Sequence, residues 1–250
     1  MTWSEQAPLW AELWGGFADP VREQIATATP IGRDARVLDV GCGSGELLML
    51  AAARGAEVSG IDAADRMLTI ARRRLPDADL RLGAMEELPW EDGRFDVVTA
   101  VNALQFAPDF VAALREAARV ARPGGRLAIA NWGPREHCDI NSVDDALSPP
   151  PPVEPPHRRP GGLSELAREA GLSVLEEREV AVPFELPNAE TVEGAFRFDA
   201  PDAPAASILA AAVPFRRPDG SYRFENRFNL LVAEVYSGEP SPPGTTSPDS

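Results

Sequence analysis

The chain reads as an α/β fold, a parallel sheet with helices on both faces, and three observations predict it. A short apolar run, Val37-Leu38-Asp39-Val40, opens into the glycine turn Gly41-Cys42-Gly43-Ser44-Gly45 and then into a helical pattern, which is a buried strand, a tight turn and a helix start. Strand and helix patterns then alternate in a βαβα series and again from the fourth strand to Asn131, and such alternation implies a parallel sheet with helices on both faces. The run Phe95 to Val101 is apolar on both faces apart from Asp96 and Thr99, as expected of a central parallel strand.

The elements follow in order. An opening segment places Trp10, Leu13, Trp14 and Phe17 at i, i+3, i+4 and i+7, one apolar helical stripe that either packs on the domain or covers a pocket; residues 1–34 are read as a helical cap. The first strand spans 36–40, its helix 46–54 and the second strand 57–61, with Asp62 at its carboxyl end. The next helix spans 65–75, with Asp65 as its cap and Met67, Leu68, Ala71 and Leu75 as its buried stripe. A short third strand at 80–82 precedes the fourth at 95–101. A helix at 109–121 is stopped by Arg122-Pro123-Gly124-Gly125 before a fifth strand at 126–131.

Beyond Trp132 the pattern loosens. The proline run at 148–162 predicts an extended connection over the surface. Ser164 opens a helix that Gly171 ends, strands are expected at 174–183 and 223–236, and a helix at about 203–212. The tail 238–250, rich in Pro, Ser, Gly and Thr, is expected to be disordered.

The glycine turn and Asp62 together suit a nucleoside, with bare backbone under one part and a carboxylate for the two ribose hydroxyls. A dinucleotide turn requires G-x-G-x-x-G, whereas the third glycine here comes one residue early and Glu46, opening the helix, repels a diphosphate. A Walker turn requires a lysine, and the chain has none. A ribose ligand without phosphate that carries positive charge near Asp39 fits, and S-adenosylmethionine is such a ligand.

Four motifs in order, V-L-D-V-G-C-G-S-G at 37–45, G-I-D-A-A-D-R-M-L at 60–68, G-A-M-E-E-L-P-W at 83–90 with F-D-V-V-T-A-V at 95–101, and R-P-G-G-R-L-A-I-A at 122–130, resemble the class I S-adenosylmethionine-dependent methyltransferases, especially the small-molecule branch that includes the ubiquinone and menaquinone methyltransferases. The resemblance implies a Rossmann-like three-layer sandwich over 35–237 with a mostly parallel seven-stranded sheet and an antiparallel last strand. It implies S-adenosylmethionine as cofactor, S-adenosylhomocysteine as product, no metal, and a small-molecule acceptor met by the N-terminal helix and by segments 133–162 and 184–222. Asp39, Gly41, Gly43 and Gly45 are matched to the methionine end and Asp62 to the ribose. Ala63, Met67, Met85 and Glu86 fall near the adenine. Ala84 stands where relatives often carry an aspartate for the adenine amino group, so Met85, through its backbone, and Glu86 are the alternatives. Asn102 and Ala103 flank the methionine moiety, and Gln105 replaces a frequent histidine.

Methyl transfer from a sulfonium asks for alignment and desolvation more than for proton chemistry. Should the acceptor need a base, His137 is the candidate, with His157, Glu136 and Asp139 behind it. Trp90, Trp132 and Phe106 could wall an apolar acceptor pocket or pack in the core. Two other readings of the same motifs are a protein that binds the cofactor yet performs non-methylating chemistry, and a non-catalytic nucleoside- or partner-binding protein.

Composition narrows the field further. The formal charge of −15 disfavours a nucleic-acid partner, and the absence of lysine excludes Schiff-base mechanisms. Two distant cysteines argue against a disulfide framework or zinc cluster and for a reducing cytoplasm, and there is neither a signal-peptide pattern nor an apolar run long enough to span a membrane. Either a monomer or a homodimer is compatible with these features.

Overall fold

In the computed structural model, which describes residues 3–198 and 200–236, the elements run α1 (Trp3–Leu13), α2 (Asp19–Ala28), β1 (Arg36–Val40), α3 (Glu46–Ala53), β2 (Glu57–Asp62), α4 (Asp65–Arg74), β3 (Asp79–Leu82), β4 (Phe95–Val101), α5 (Phe110–Val120) and β5 (Ala121–Trp132). There follow α6 (Ile140–Leu147), α7 (Gly162–Glu169), β6 (Ser173–Ala181), β7 (Phe184–Leu186), α8 (Ala189–Phe196), α9 (Ala205–Ala212), β8 (Tyr222–Phe224) and β9 (Arg227–Glu234). The tail expected to be disordered lies outside the described residues.

Seven strands form one sheet in the order β3-β2-β1-β4-β5-β9-β6, parallel from β3 to β5, with β9 antiparallel to both its neighbours. This is the seven-stranded, mostly parallel sheet that the motifs imply. Successive residues of a strand face opposite sides, and the core divides accordingly. Val37, Val97, Ala128 and Leu230 enter one cluster with residues of α2 and α3, whereas their neighbours Leu38, Val98, Leu127 and Leu231 enter another with residues of α5 and α7. Three layers result.

The chain runs outward from β1 through β2 to β3, then returns to the other side of β1 as β4. A crevice therefore opens at the carboxyl ends of β1 and β4, where such sheets bind ligands.

Several helix starts differ from the expectation. Ala64, in extended conformation, is the residue before α4, and Asp65 lies inside the first turn without a capping bond. Gly161, left-handed at φ 76°, precedes α7, and Ser164 is inside that helix, its backbone N–H donating to Glu177 Oε2 at 2.8 Å. The aromatic stripe crosses a helix end: α1 stops at Leu13, and Trp14 and Phe17 sit in the turn before α2. Trp14 stacks on Phe184 of β7, which pairs with β8 in a separate two-stranded sheet (centroids 4.4 Å apart), and Phe17 on Trp132 at the end of β5 (5.4 Å), so these two rings fasten the N-terminal segment to both sheets. Burying each is worth roughly 1.5–3 kcal/mol. The proline run is not a free surface strap either, because Asn229 Nδ2 donates to the carbonyls of His157 (3.2 Å) and Arg158 (3.0 Å) and holds it over the sheet end.

Candidate cofactor site

A cavity of about 690 Å³ lies over the crevice. Four pieces of chain make its wall: the glycine turn after β1, the end of β2 with the start of α4, the loop after β3, and the stretch after β4; Trp10 of α1 approaches from above. Gly41, Gly43, Asp62, Ala63, Met67, Ala84, Met85, Glu86, Asn102 and Ala103, all matched from the sequence, line it.

The three turn glycines do different work. All are left-handed, with φ of 71° at Gly41, 53° at Gly43 and 91° at Gly45, a conformation that costs any residue with a Cβ. A Cβ on Gly41 would sit 2.4 Å from that of Ala103, so the close approach of β1 and β4 demands glycine there. A Cβ on Gly43 would meet nothing nearer than the Trp10 ring at 3.9 Å and would stand in the cavity. Gly45 does not line the cavity; its bare Cα lets the start of α3 pack on Ala71 of α4 and on Leu75 just beyond that helix.

Asp62 braces this turn. Its Oδ2 accepts the Gly43 N–H and its Oδ1 the Ala64 N–H, each at 2.8 Å. Each carboxylate oxygen has a second lone pair, so the capacity to accept hydroxyl hydrogens remains. Burial pushes its pKa up and these two N–H donors pull it down.

Asp39 lies beneath the turn and is not part of the cavity wall. It is 3% exposed, and its Oδ1 accepts the Thr99 hydroxyl at 2.7 Å. Burial, opposed by the Thr99 bond and by the charge of Arg22 and reinforced by Glu46 and Asp62, lifts its pKa from 3.8 to about 7. Glu46 also stands off the cavity wall, bonded to the Ser44 hydroxyl (2.5 Å) and paired with Arg74 (2.6 Å). Its charge is compensated, so the case against a diphosphate rests on glycine spacing more than on repulsion by Glu46.

At the end of β4, Asn102 is left-handed at φ 54°, a conformation asparagine tolerates better than most residues. Its Oδ1 accepts from Gln105 Nε2 at 2.7 Å, and Gln105 Oε1 accepts from Nδ2 of the fully buried Asn131 at 2.6 Å. Gln105 thus occupies the place expected of a histidine as part of an amide relay.

The base candidates fare differently. His137 does not line the cavity: it sits after β5, its Nδ1 3.0 Å from both carboxylate oxygens of Glu179 on the edge strand β6. His157 stacks on Phe110, and burial together with Arg158 lowers its pKa to about 4, far from the value that suits a base near neutrality. Asp139 accepts the Glu225 N–H at 2.7 Å, and neither it nor Glu136 reaches the wall. Of the three aromatic candidates only Phe106 lines the cavity. Trp90 is buried against Phe95 with its Nε1 donating to Asp79 (2.9 Å), and Trp132 packs between Phe17 and Phe228.

Segments 133–162 and 184–222, expected to meet the acceptor, contribute no residue to this cavity; α6 and α8 instead pack against α9. Sequence reasoning missed Thr99 as the partner of Asp39, Arg74 as the clamp on the turn, and Pro108 as cavity wall. The one signal for Thr99 was a polar residue in an otherwise apolar central strand. Among the described residues no group of His, Cys, Asp and Glu is arranged to hold a metal, and no helix is long and apolar enough to cross a membrane.

Comparison with known proteins agrees with this geometry. Residues 38–129 match the family model described as a methyltransferase domain. The chain is 37% identical over 117 residues to the 27-O-demethylrifamycin SV methyltransferase of Amycolatopsis mediterranei, covering 44% of this chain and 43% of that protein. It is 38% identical over 117 residues to the ubiquinone biosynthesis O-methyltransferase of Xanthomonas oryzae pv. oryzae, covering 45% and 49%. The match thus spans less than half the length of these relatives. Among solved structures, the [4+2]-cyclase SpnF superposes with a TM-score of 0.66 at 21% identity over 94% of this chain and 95% of that one. An S-adenosylmethionine-dependent methyltransferase from Aquifex aeolicus does so with a TM-score of 0.60 at 17% identity over 92% and 97%. Those structures speak for the fold; the family match and the named relatives show that residues 38–129 of this chain are similar to methyltransferase domains.

Proposed function

We propose that the chain binds S-adenosylmethionine in the cavity over the glycine turn and transfers its methyl group in line to an oxygen, nitrogen or carbon atom of a small-molecule acceptor. The observation that carries this reading is the brace between Asp62 and Gly43, which puts a carboxylate with spare acceptor capacity beside bare, left-handed backbone at the switch point of the sheet. The residues present fit the cofactor. A site with Asp62 on its wall and Asp39 beneath it favours a cationic ligand, and Gly43 leaves room where any side chain would intrude.

When bound, S-adenosylmethionine supplies a methyl group on a sulfonium that is already an activated leaving group. The chain then needs to bind, orient and exclude water. Asp62 holds the ribose, Gly41 and Gly43 admit the methionine end to the main chain, and Met67 and Met85 flank the base. Asp39 contributes its field from below, and Ala103 with Asn102 closes the far side. Trp10, Phe106 and Pro108 form an apolar rim where the acceptor enters and water leaves. No histidine lies on the wall, so proximity and desolvation carry the reaction. His137, at its distance from the wall, would serve only an acceptor that reached across to β6.

The names of the two relatives specify methylation of oxygen, which favours an oxygen acceptor here. A small-molecule acceptor, no nucleic-acid partner and a cytoplasmic setting belong to the same proposal, supported by the charge of −15 and the two free cysteines. A second reading, non-methylating chemistry on the same fold, is favoured by one observation: a structure named for [4+2] cyclisation covers 94% of this chain. Titration with S-adenosylmethionine and S-adenosylhomocysteine, followed by methyl-label transfer to a panel of acceptors, tests both. Binding with transfer supports methylation, binding without transfer over a broad panel supports the second reading, and no binding of either overturns the first.

A further inference from the structure

Thr99 is a polar residue within an apolar central strand, and its hydroxyl lies between two acceptors. Sheet register sets Thr99 of β4 directly beside Asp39 of β1, so both side chains leave the same face. The Thr99 Oγ1 lies 2.7 Å from Asp39 Oδ1 and 3.2 Å from the Leu38 carbonyl oxygen, in a residue that is fully buried. A hydroxyl has one hydrogen, so it serves one of these acceptors at a time.

Two acceptors let this hydroxyl follow the charge of its neighbour. Against a carboxylate, Thr99 donates to Asp39 Oδ1. Against the protonated acid, Asp39 donates to Thr99 Oγ1, and the hydroxyl hydrogen turns to the Leu38 carbonyl. Both states are hydrogen-bonded, whereas a valine of similar volume would deprive Asp39 of this partner in either one.

The other groups around Asp39 cannot change sides in this way. Arg22 of α2 attracts its charge, but the Arg22 Nη1 is already held by the Gly15 carbonyl (2.6 Å) and Asp19 (2.7 Å). Glu46 at the start of α3 and Asp62 at the end of β2 repel it. Cys42, in the glycine turn, brings no charge of its own, because burial pushes its thiol up. With its pKa at about 7, Asp39 is poised so that a modest change in its surroundings decides whether it carries a proton. A cation brought into the cavity above is such a change.

We propose, resting on the cofactor reading above, that Thr99 is a positioning residue acting through Asp39: its hydroxyl accepts from the acid beforehand and donates to the carboxylate once the cationic cofactor binds. The proton of Asp39 leaves to solvent, and no covalent bond other than its O–H changes. Thr99 thereby favours the negative charge that forms beneath the turn.

The test compares S-adenosylmethionine affinity in wild type and Thr99→Val by titration calorimetry on the full chain, between about pH 6 and 8.5. Without the hydroxyl the carboxylate loses a donor and Asp39 keeps its proton to higher pH, so at about pH 6.5 Thr99→Val should bind roughly fivefold or more weakly. At about pH 8.5, where Asp39 is ionised in both chains, the two affinities should agree within about twofold. Thr99→Ser keeps the hydroxyl and should follow the wild type throughout, while Thr99→Ala should follow Thr99→Val; this second pair carries the test should valine disturb the fold. A loss in Thr99→Val that is equal at every pH, no loss at any pH, or a serine variant as weak as alanine overturns the assignment and leaves the cofactor reading intact. Failure of the wild type to bind S-adenosylmethionine overturns both.

Discussion

The Gly43 N–H donates to Asp62 Oδ2 at 2.8 Å, which ties the glycine turn after β1 to the end of β2. One carboxylate thereby sets the shape of the turn and offers its remaining lone pairs to a ligand. Asp62→Ala should weaken S-adenosylhomocysteine binding by more than tenfold, because hydrogen bonds to a charged group are worth about 1.5–3 kcal/mol each. It should also lower the melting temperature by a few degrees through loss of the brace. Calorimetry and thermal melts read the two effects separately; a variant that binds normally would show that the ribose lies elsewhere.

The turn glycines differ in what a methyl group would do. Gly41→Ala drives a Cβ to 2.4 Å from that of Ala103 at φ 71° and should act on stability, lowering the melting temperature by roughly 5–10 °C. Gly43→Ala meets no close atom and should cost only about 1 kcal/mol of backbone strain while obstructing the cavity. The expected pattern is a folded Gly43→Ala variant with ligand binding lost, and an unstable Gly41→Ala variant. The reverse pattern would contradict the placement of the ligand over Gly43.

Asp39 gives the site a pH signature. With its pKa raised from 3.8 to about 7, the folded chain keeps a proton that the unfolded chain gives up over that interval, so this group makes stability fall as pH rises from 4 to 7. A cation bound nearby favours the carboxylate and drives the proton off. At about pH 6.5, S-adenosylmethionine binding should release up to about one proton, measured by calorimetry in buffers of different ionisation heat. Asp39→Asn should abolish that release and flatten the melting curve between pH 4 and 7. Proton uptake, or unchanged release in the variant, would go against a cationic ligand at this site.

The tryptophans of the N-terminal segment divide between anchoring and covering. Trp14 is buried in a stack on Phe184, and Trp14→Ala should cost about 3–5 kcal/mol of stability. Trp10 lines the cavity, and Trp10→Ala should lower the melting temperature less while accelerating S-adenosylhomocysteine release, seen by stopped-flow displacement. Equal release rates in the two variants would remove Trp10 from the cover.

These relationships show where sequence patterns carry information and where they do not. Strands β1 and β4 match their expected limits because continuous apolar runs bounded by glycine or charge have one structural solution. The tight turn and the place of Asp62 at the strand end were legible for a similar reason: closely spaced glycines after an apolar run mark left-handed backbone. Asp65 and Ser164 looked like caps, yet the true flanking residues, Ala64 and Gly161, were set by how the chain leaves β2 and the proline run. Strands β7 and β8 are three residues each, too short for periodicity to reveal. His137 stood out by residue type alone, and only the three-dimensional pairing with Glu179 shows where its ring goes. The aromatic stripe was visible, but the helix end that separates Trp10 from Trp14 depends on contacts with β7, remote in sequence.

The most direct measurement is a crystal structure of the chain with S-adenosylhomocysteine. The account predicts density in the cavity, the homocysteine end over Gly41 and Gly43 and the ribose hydroxyls on Asp62. Density in another place, or a turn closed by neighbouring side chains with the ligand absent, would contradict it.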